Sequence, residues 1–398
     1  MSGSKWGVEK IEALAEYVTV GYVGSMSTLF VIDGVPLLRG QNIREYALDL
    51  SNLKYISQET HRKWKKSELK PGDVAIVRVG YPGTACVIPD DVGEMNAASL
   101  VIVRPNRAKL DAKFLSYVLN SPWGKAQISG RLVGAAQQVF NTQTAAELEI
   151  PSPPLNIQQR ISSILSAYDE LIENSQRRIK ILESMARAAY TETLSTSTRE
   201  IESHSIVESS YWRFISENVS NYLGTKRYYA TADVDGLVMI GPGIDYSFAE
   251  RPSRAQKQPI PNSVWFARMK ETFKIAWFGP LNDERASGTL LSTGFAGFEA
   301  RDAELWPLLF LIISSREFHV QKDLFCTGAT QMSLTNEGLS RIRLPLPDEQ
   351  SARRLGRTVG PLLTSMAGLQ QRNDVLRRTR DLLLPRLLSG QIDVEAIA

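Results

Sequence analysis

Three residues in the first half of the chain have the types that many nucleases use to bind a metal ion. Glu68 and Lys70 are separated by one residue and Asp49 lies upstream, which gives an acid–acid–lysine set. Such a set is common by chance, and here it leads into KPGDV at 70–74, a pattern typical of a turn that feeds a strand. The favoured interpretation is therefore structural, and nuclease chemistry is the alternative.

The sequence lacks the patterns of several other enzyme classes. It has no GxxxxGK[ST] phosphate loop, no GxGxxG after a strand, and no Asn-Pro-Pro-aromatic run of the kind that holds a flipped adenine. Cys86, Cys326 and the three histidines are scattered, which predicts no metal site and a reducing cytoplasm. No apolar run approaches the ~20 residues that span a bilayer, and MSGSKWGVEK has no signal-peptide core. Nucleotide hydrolysis and dinucleotide binding therefore lack support, and we expect a cytoplasmic protein.

Several polar loops carry side chains suited to contacting DNA. LLRGQNIRE (37–45), TKRYYATADV (225–234) and ERPSRAQKQPIP (250–261) combine Arg, Lys, Gln, Asn and Tyr with little acid. Arg and Lys pair with guanine edges, and Gln and Asn pair with adenine edges. A solvated surface loop is the alternative for any single residue, and the net charge of +3 permits a nucleic-acid partner without requiring one. The candidates are Arg39, Gln41, Asn42, Arg44, Arg78, Tyr81, Gln137, Lys226, Arg227, Tyr228, Arg251, Arg254, Gln256, Lys257 and Gln331.

A repeated motif indicates that the chain is duplicated. GATQMSLT (328–335) resembles GAAQQVFN (134–141), and the same offset of 194 residues relates IRLPLP (342–347) to LEIPSP (148–153). The identities fall at turns and strand ends, where backbone geometry restricts the residue type. Short β-type runs such as VAIVRVG (74–80), together with a late helix, predict an α+β domain in each copy.

Each copy ends in a long helix with a narrow apolar seam. Apolar residues follow steps of four and three, and the seam recurs at the same offset, as in helices that pair with each other. Asn373 is a polar position in the second seam and could set its register. Packing of each helix on its own domain is the alternative. The predicted pairing residues are Ile161, Leu165, Tyr168, Ile172, Ile179, Leu182, Leu355, Val359, Leu362, Met366, Leu369 and Leu376.

The predicted organisation has four parts and one linker. Globular domains occupy 1–155 and 205–347, and long helices occupy 156–195 and 348–390. The segment STSTREIESHS at 195–205 is polar, which predicts a loose linker between the first helix and the second domain.

In this order, the motifs resemble the specificity (S) subunit of type I restriction–modification systems. The shared features are a domain ending in G-[AST]-x-Q, a strand that runs into prolines, a long heptad helix, and duplication of the whole set. KPGDVAIVRVG (70–80) matches the GD-strand-Gly segment of that family, and PRLLSGQID (385–393) matches the end of its second conserved helix. The first copy departs from the family at IQQR (157–160), where a Glu-Gln pair is usual.

The resemblance implies two pseudo-repeated α/β target-recognition domains, separated by two long conserved helices that pair as an antiparallel coiled coil. Each domain would recognise one half of a bipartite site in double-stranded DNA. The implied partners are two adenine methyltransferase modification subunits and, in a larger complex, two restriction/translocase subunits. S-adenosylmethionine, ATP and Mg²⁺ would bind to those partners, and the chain itself would bind no cofactor and have no catalytic activity of its own. Apolar residues at Leu382–Leu384 and Leu387–Leu388 are expected to be exposed for docking.

Alternatives from other classes make different predictions. A detached recognition module of a fused methyltransferase–nuclease would recognise DNA in the same way with a different partner. A nuclease acting through Glu68 and Lys70 would cleave DNA by itself in the presence of a metal ion. A coiled-coil scaffold would show no salt-dependent DNA binding.

Overall fold

The computed structural model of the chain describes residues 5–26, 28–132, 139–196, 203–241, 243–329 and 331–395. The chain divides into two compact units. Unit 1 comprises Met1–Glu173 and Asn373–Ala398, and unit 2 comprises Asn174–Arg372. Both unit boundaries fall inside long helices, so each unit contains part of each helix.

The first half of the chain alternates short strands with a few helices. Its described strands are β1 (Val8–Lys10), β2 (Ala15–Val20), β3 (Phe30–Val31), β4 (Val35–Leu38), β5 (Ile43–Arg44), β6 (Ala47–Leu48), β7 (Lys54–Ile56), β8 (Glu68–Leu69), β9 (Val74–Val77), β10 (Ala85–Val87), β11 (Met95–Ala97), β12 (Leu100–Pro105) and β13 (Glu149–Pro151). Its described helices are α1 (Ile11–Leu14), α2 (Gln58–Lys63), α3 (Ala112–Asn120), α4 (Pro122–Leu132), α5 (Thr142–Ala146) and α6 (Leu155–Ser195).

Unit 1 contains two principal sheets. The first sheet has the order β10-β9-β12-β2, and the second has the order β3-β7-β4-β11-β8 with β4 and β11 parallel. Strand β9 is apolar on both faces because its alternate residues enter different cores: Val74 and Ile76 pack with α3, whereas Ala75 and Val77 pack toward the second sheet. A short two-stranded hairpin, β5–β6, connects the two regions.

The second half repeats these elements. Its described strands are β14 (Ser203–Ser205), β15 (Trp212–Ile215), β16 (Lys226–Tyr229), β17 (Val234–Asp235), β18 (Val238–Met239), β19 (Ile244–Tyr246), β20 (Ala255–Lys257), β21 (Ser263–Ala267), β22 (Ile275–Phe278), β23 (Thr289–Ser292), β24 (Phe295–Ala300), β25 (Cys326–Thr327), β26 (Ser333–Leu334) and β27 (Arg343–Pro345). Its described helices are α7 (Asp283–Ser287), α8 (Trp306–Ile313), α9 (Arg316–Leu324), α10 (Asn336–Ser340) and α11 (Glu349–Leu388).

Unit 2 has a sheet plan similar to that of unit 1, with four strands instead of five in the second sheet. Its first sheet has the order β15-β24-β21-β22, and its second has the order β19-β16-β23-β20 with β16 and β23 parallel. Strand β21 also divides its residues between two cores, with Val264 and Phe266 on one side and Trp265 and Ala267 on the other. The two units are therefore copies of one plan, and the predicted α+β fold with an internal repeat is confirmed.

In unit 1 the start of α6 packs beside the end of α11. Ile161 and Leu165 of α6 lie in one buried cluster with Leu384 and Leu388 of α11. Asp169, farther along α6, pairs with Arg380, which lies earlier in α11. Along these contacts the residue numbers of α6 rise while those of α11 fall, so the two helices run antiparallel in this unit. The remaining predicted pairing residues of unit 1 are buried (Ile172) or half-buried (Tyr168, Leu376).

In unit 2 the end of α6 and the start of α11 share the core of the first sheet. Leu355, Val359 and Met366 are buried there, and Ile179, Leu182, Leu362 and Leu369 are half-buried. The most buried positions of α11 in this region include Leu363 and Gln370. Each is one residue beyond a predicted position (Leu362 or Leu369). Because Leu362 and Leu363 are both apolar, periodicity alone cannot choose between them.

The apolar residues near the end of α11 are mostly buried, and so is the polar seam residue Asn373. Leu384, Leu387 and Leu388 are buried in unit 1 beside Ile11 and Leu14, so the expected exposed flank is wrong for these three leucines. Leu382 is exposed, and Leu383 is half-buried. Asn373 is 2% exposed, and its Oδ1 has no hydrogen-bond partner among the described residues.

A buried ion pair joins two strands of the first sheet in unit 1. Asp73 is 1% exposed and accepts two hydrogen bonds of 2.6 Å from the Arg104 guanidinium, as well as one of 2.8 Å from the backbone N–H of Lys70. The hydrogen bond to Asp73 is the main reason that the pKa of Arg104 is raised. Asp73 therefore fixes the turn of the KPGDV segment to strand β12.

We expect Asp73→Asn to destabilise unit 1 by about 3 kcal/mol, because it leaves the Arg104 charge without its partner in a buried place. The free energy of unfolding in denaturant, measured on the full chain, tests this. Glu59→Gln is the control: Glu59 forms an exposed pair with Lys63 at 2.6 Å, and exposed pairs contribute less than about 1 kcal/mol. Equal effects of the two substitutions would contradict a structural role for Asp73.

None of the helices in the described ranges is both long and apolar enough to cross a membrane.

Candidate nucleic-acid interface

The loop after β4 contains four of the candidate residues. Asn42 is 1% exposed, accepts from the backbone N–H of Arg39 at 3.0 Å, and donates to the carbonyl of Asp49 at 2.9 Å. Arg39 is half-buried and donates to the carbonyl of Asn52 at 3.0 Å, and burial lowers its pKa. The structure thus places Asn42 inside the loop rather than on its surface, because its amide satisfies the backbone there.

Gln41 and Arg44 lie on the surface of the same loop. Gln41 is exposed, and Arg44 is exposed and forms an ion pair of 3.1 Å with Asp49. A surface ion pair of this kind contributes little to stability, so a phosphate or a base edge can displace the carboxylate at small cost. These two side chains are available for a ligand.

The hairpin between β9 and β10 presents Tyr81. Its side chain is 83% exposed. Arg78 at the base of the hairpin is half-buried and lies 3.4 Å from the carbonyl of Phe140 through its Nε. Gly83 has φ of +91°, and a Cβ at this position would lie 2.4 Å from Ile128, so the turn requires glycine. The exposed ring of Tyr81 can stack on a base or contact a sugar.

A basic run beside the second sheet of unit 1 is absent from the sequence-based candidates. Arg62, Lys63, Lys65 and Lys66 are all exposed, at the end of α2 and in the turn that follows. Trp64, between them, stacks on Tyr22 with ring centroids 3.7 Å apart, which holds this segment against the sheet. The signal was visible in the sequence as four basic residues within HRKWKK. Lysines presented in this way suit contacts with phosphates.

In unit 2, β16 of the second sheet carries three candidates. Lys226 donates to Gln258 at 2.5 Å and lies 4.8 Å from the ring centroid of Tyr222, and burial lowers its pKa. Arg227 makes two hydrogen bonds of 2.8 Å with Asp245, and these raise its pKa. Tyr228 is half-buried. The strand is therefore basic at its surface, but both cations already have partners within the protein.

The loop before β20 divides its candidates between internal and exposed positions. The guanidinium of Arg251 lies 3.7 Å from the ring centroid of Phe248 and donates to its carbonyl. Lys257 donates to the carbonyl of Ser216 at 3.0 Å, and burial lowers its pKa. Gln256 is half-buried and donates to the carbonyl of Ser253 at 2.9 Å. Arg254 is exposed, so it is the residue of this loop best placed for a ligand.

The aromatic residues that accompany these cations were not among the candidates. Tyr222 and Phe248 meet edge to face with centroids 5.5 Å apart, and each receives a cation on its ring. Interleaved Tyr and Phe in a basic stretch is the sequence signal that identifies them.

The repeated glutamine motif is only partly described. Gln331 is exposed, and its Nε2 lies 3.6 Å from the sulfur of Met269. Gln137 lies outside the described residues.

The residues of the nuclease alternative lie in ordinary structural positions. Asp49 accepts hydrogen bonds from the backbone N–H and the hydroxyl of Ser51, and Glu68 is half-buried in β8. Among the described residues, no group of three or more His, Cys, Asp or Glu side chains is arranged to hold a metal ion.

The fold and these surfaces define a class of protein: a duplicated α+β chain that contains two long helices and carries basic and aromatic side chains beside the second sheet of each copy. Residues 47–184 match the family model described as the type I restriction modification DNA specificity domain. This match, together with relatives named type I restriction enzyme specificity subunits, confirms the resemblance that the motifs predict.

Individual relatives agree with this assignment. The chain is 20% identical over 412 residues to a protein named as the type I restriction enzyme MjaX specificity subunit of Methanocaldococcus jannaschii, with 98% of this chain and 94% of the relative covered. It is 25% identical over 144 residues to the EcoBI specificity subunit of Escherichia coli, with 35% and 30% covered. The crystal structure of the type I S subunit from M. genitalium has a similar fold, with a TM-score of 0.57, 18% identity and 97% of both chains covered.

Proposed function

We propose that the chain recognises a bipartite site in double-stranded DNA, with each unit contacting one half-site. The observation that carries the proposal is the repetition of the second sheet, with basic and aromatic side chains beside it in both units. Two surfaces of one plan suit two half-sites, and their different side chains suit different base sequences.

The side chains of each unit fall into two chemical groups. In unit 1 the exposed lysines at 63, 65 and 66 suit phosphates, whereas Gln41 and Arg44 suit base edges. In unit 2 the exposed Arg254 suits a base edge, and Arg227 suits a phosphate that replaces Asp245. Phosphate contacts supply affinity and base contacts supply specificity, so the two groups have different effects when removed.

The long helices act as the spacer between the two half-sites. Helix α6 has 41 residues and α11 has 40. At 1.5 Å per residue such a helix is about 60 Å long, which is comparable to about 18 base pairs of DNA at 3.4 Å each. A rigid element of this length suits a fixed, unread gap.

The same helices also dock two modification subunits. Ile181 on α6 and Val375 on α11 are related by the repeat offset of 194 residues, and they are 60% and 59% exposed. An exposed arginine precedes each of them, Arg178 and Arg372, at the same offset. An exposed aliphatic side chain beside a cation, present once in each repeat, suits two copies of one partner. Methyl transfer and ATP-driven steps, with their cofactors, belong to the partner subunits.

Substitution of a base-contacting residue should alter one half-site only. Gln41→Ala should relax the first half-site and Arg254→Ala the second, each by roughly 1–3 kcal/mol of discrimination at one base pair. Sequencing of methylated adenines in cells that express the complex measures both half-sites at once.

Lys109→Ala is the matched control, because Lys109 is an exposed cation of unit 1 whose Nζ donates to the carbonyl of Ala13. We expect it to leave both half-sites unchanged. A change in both half-sites from one substitution would contradict independent recognition by the two units. Absence of salt-dependent DNA binding by the assembled complex would contradict the proposed function itself.

A further inference from the structure

The tip of the β5–β6 hairpin in unit 1 contacts helix α3 and the long helix α11. The tip residue Tyr46 has φ of 67°, in the left-handed region that residues other than glycine rarely adopt. Its ring lies 4.9 Å from that of Tyr117 on α3, and the Arg380 guanidinium of α11 lies 4.6 Å from its centroid. The contacts hold a backbone conformation that is unfavourable by itself.

Arg380 connects this tip to α6. Its side chain is 11% exposed and donates to Asp169 of α6 at 2.5 Å and to Asp381 at 2.8 Å. The hydroxyl of Tyr117 donates to the other carboxylate oxygen of Asp169. Tyr46, Tyr117, Asp169 and Arg380, called the hairpin anchor below, therefore join four elements of unit 1 in one polar cluster.

Arg380 and the two tyrosines of the hairpin anchor keep their charge states over the physiological range. Burial acts to lower the pKa of Arg380, but the hydrogen bond and the charge of Asp169 raise it above its ordinary value. Burial raises the pKa of Tyr46, and burial together with the Asp169 charge raises that of Tyr117. The cation and both neutral phenols therefore persist at physiological pH.

The hairpin that carries the anchor also carries the recognition loop. Gln41 and Arg44 lie within five residues of Tyr46, and Lys125 of α4 forms an ion pair with Glu45 at the tip. Unit 2 is different at this place: the carbonyl of the tip residue Leu237 accepts two neutral hydrogen bonds, one of 3.3 Å from Gln370 of α11 and one of 3.2 Å from the indole of Trp277. A charged connection to the helices is therefore a property of the first recognition loop.

We infer that the hairpin anchor fixes the orientation of the first recognition loop on the helices, so that Arg380 and Tyr46 determine how strictly the complex selects the gap between half-sites. They are positioning residues, and they touch no base. The inference rests on the proposed bipartite recognition. The carboxylates of Asp169 and Asp381 hold the Arg380 guanidinium in place on the helices, and a rotation of the loop would move the Tyr46 ring away from that cation.

The test uses the chain assembled with its modification subunits and a set of duplexes whose gap is shortened or lengthened by one or two base pairs. We expect the native complex to methylate one gap strongly. Tyr46→Leu and Arg380→Lys should lower the ratio of rates between the native and the altered gaps by roughly five- to tenfold, as for loss of one desolvated cation–π contact. Base preference within each half-site should not change.

Arg377→Ala is the control. Arg377 lies on the same helix as Arg380 but is more exposed, and it forms an ion pair of 3.4 Å with Asp374. It should leave the gap ratio unchanged. Tyr46→Leu removes a partly exposed side chain at a turn, so it remains informative if Arg380→Lys impairs folding. An unchanged gap ratio in Tyr46→Leu, or an altered base preference, would overturn the inference. A native complex that methylates every gap equally would instead overturn the proposed bipartite function.

Discussion

Insertion of two residues after Ser175 is expected to abolish assembly, whereas insertion of four residues is expected to preserve it and to lengthen the DNA gap. Ser175 is 7% exposed and lies within the continuous helix α6. Two inserted residues rotate the part of α6 after the insertion by about 200° about the helix axis, which exposes its apolar seam to solvent. Four residues rotate it by only about 40° net and advance it by about 6 Å, or one to two base pairs.

The measurement is the map of methylated adenines in cells that carry each variant. A two-residue insertion between Asp90 and Asp91, in an exposed turn of unit 1, is the control and should leave the gap unchanged. Packing of each helix only on its own domain predicts no change of gap from either helical insertion. A fully active four-residue variant with the native gap would therefore contradict the spacer role.

Substitution of Ile181 and Val375 by Glu should remove the modification subunits one at a time. The mass of the co-expressed native complex should correspond to two modification subunits per chain. Each single substitution places a charge in an apolar contact and should cost at least about 2 kcal/mol at its own docking site. Ile181→Glu and Val375→Glu should each leave one subunit bound, and the double variant should leave none.

Leu281→Glu is the matched control for this experiment. Leu281 is 83% exposed and lies outside both long helices, so the same change of charge there should keep both subunits bound. Loss of both subunits from one single substitution would show that the two sites are not equivalent. Retention of both in the double variant would place docking elsewhere on the chain.

Sequence alone determined the features that depend on local geometry. The internal repeat was visible because turns and strand ends restrict residue type, and the offset of 194 residues relates the elements from α3 onward to those from α8 onward. The long helices were visible because an apolar residue every three or four positions describes one face of a helix. Ile161, Leu165 and Ile172 of the first seam are buried.

The exposure of polar loop residues could not be predicted in this way. Asn42 and Gln41 are adjacent and chemically similar, but the first is buried and the second is exposed. The difference arises because the inward amide of Asn42 bonds to the backbone of Arg39, Asp49 and Asn52. Composition identifies such a loop as polar, but it does not predict which amide side chain will bond to the backbone of the loop.

Only the tertiary structure decided which distant segments meet. The leucines at the end of α11 look like an exposed flank in the sequence, but they are buried against Ile11 and Leu14 near the beginning of the chain. The hairpin anchor has the same origin, because Asp169 and Arg380 are 211 residues apart and neither belongs to a recognisable motif. The periodicity of apolar residues indicates the local conformation of the backbone over a few helical turns. Burial and ion pairing depend instead on contacts between elements that are remote in the chain.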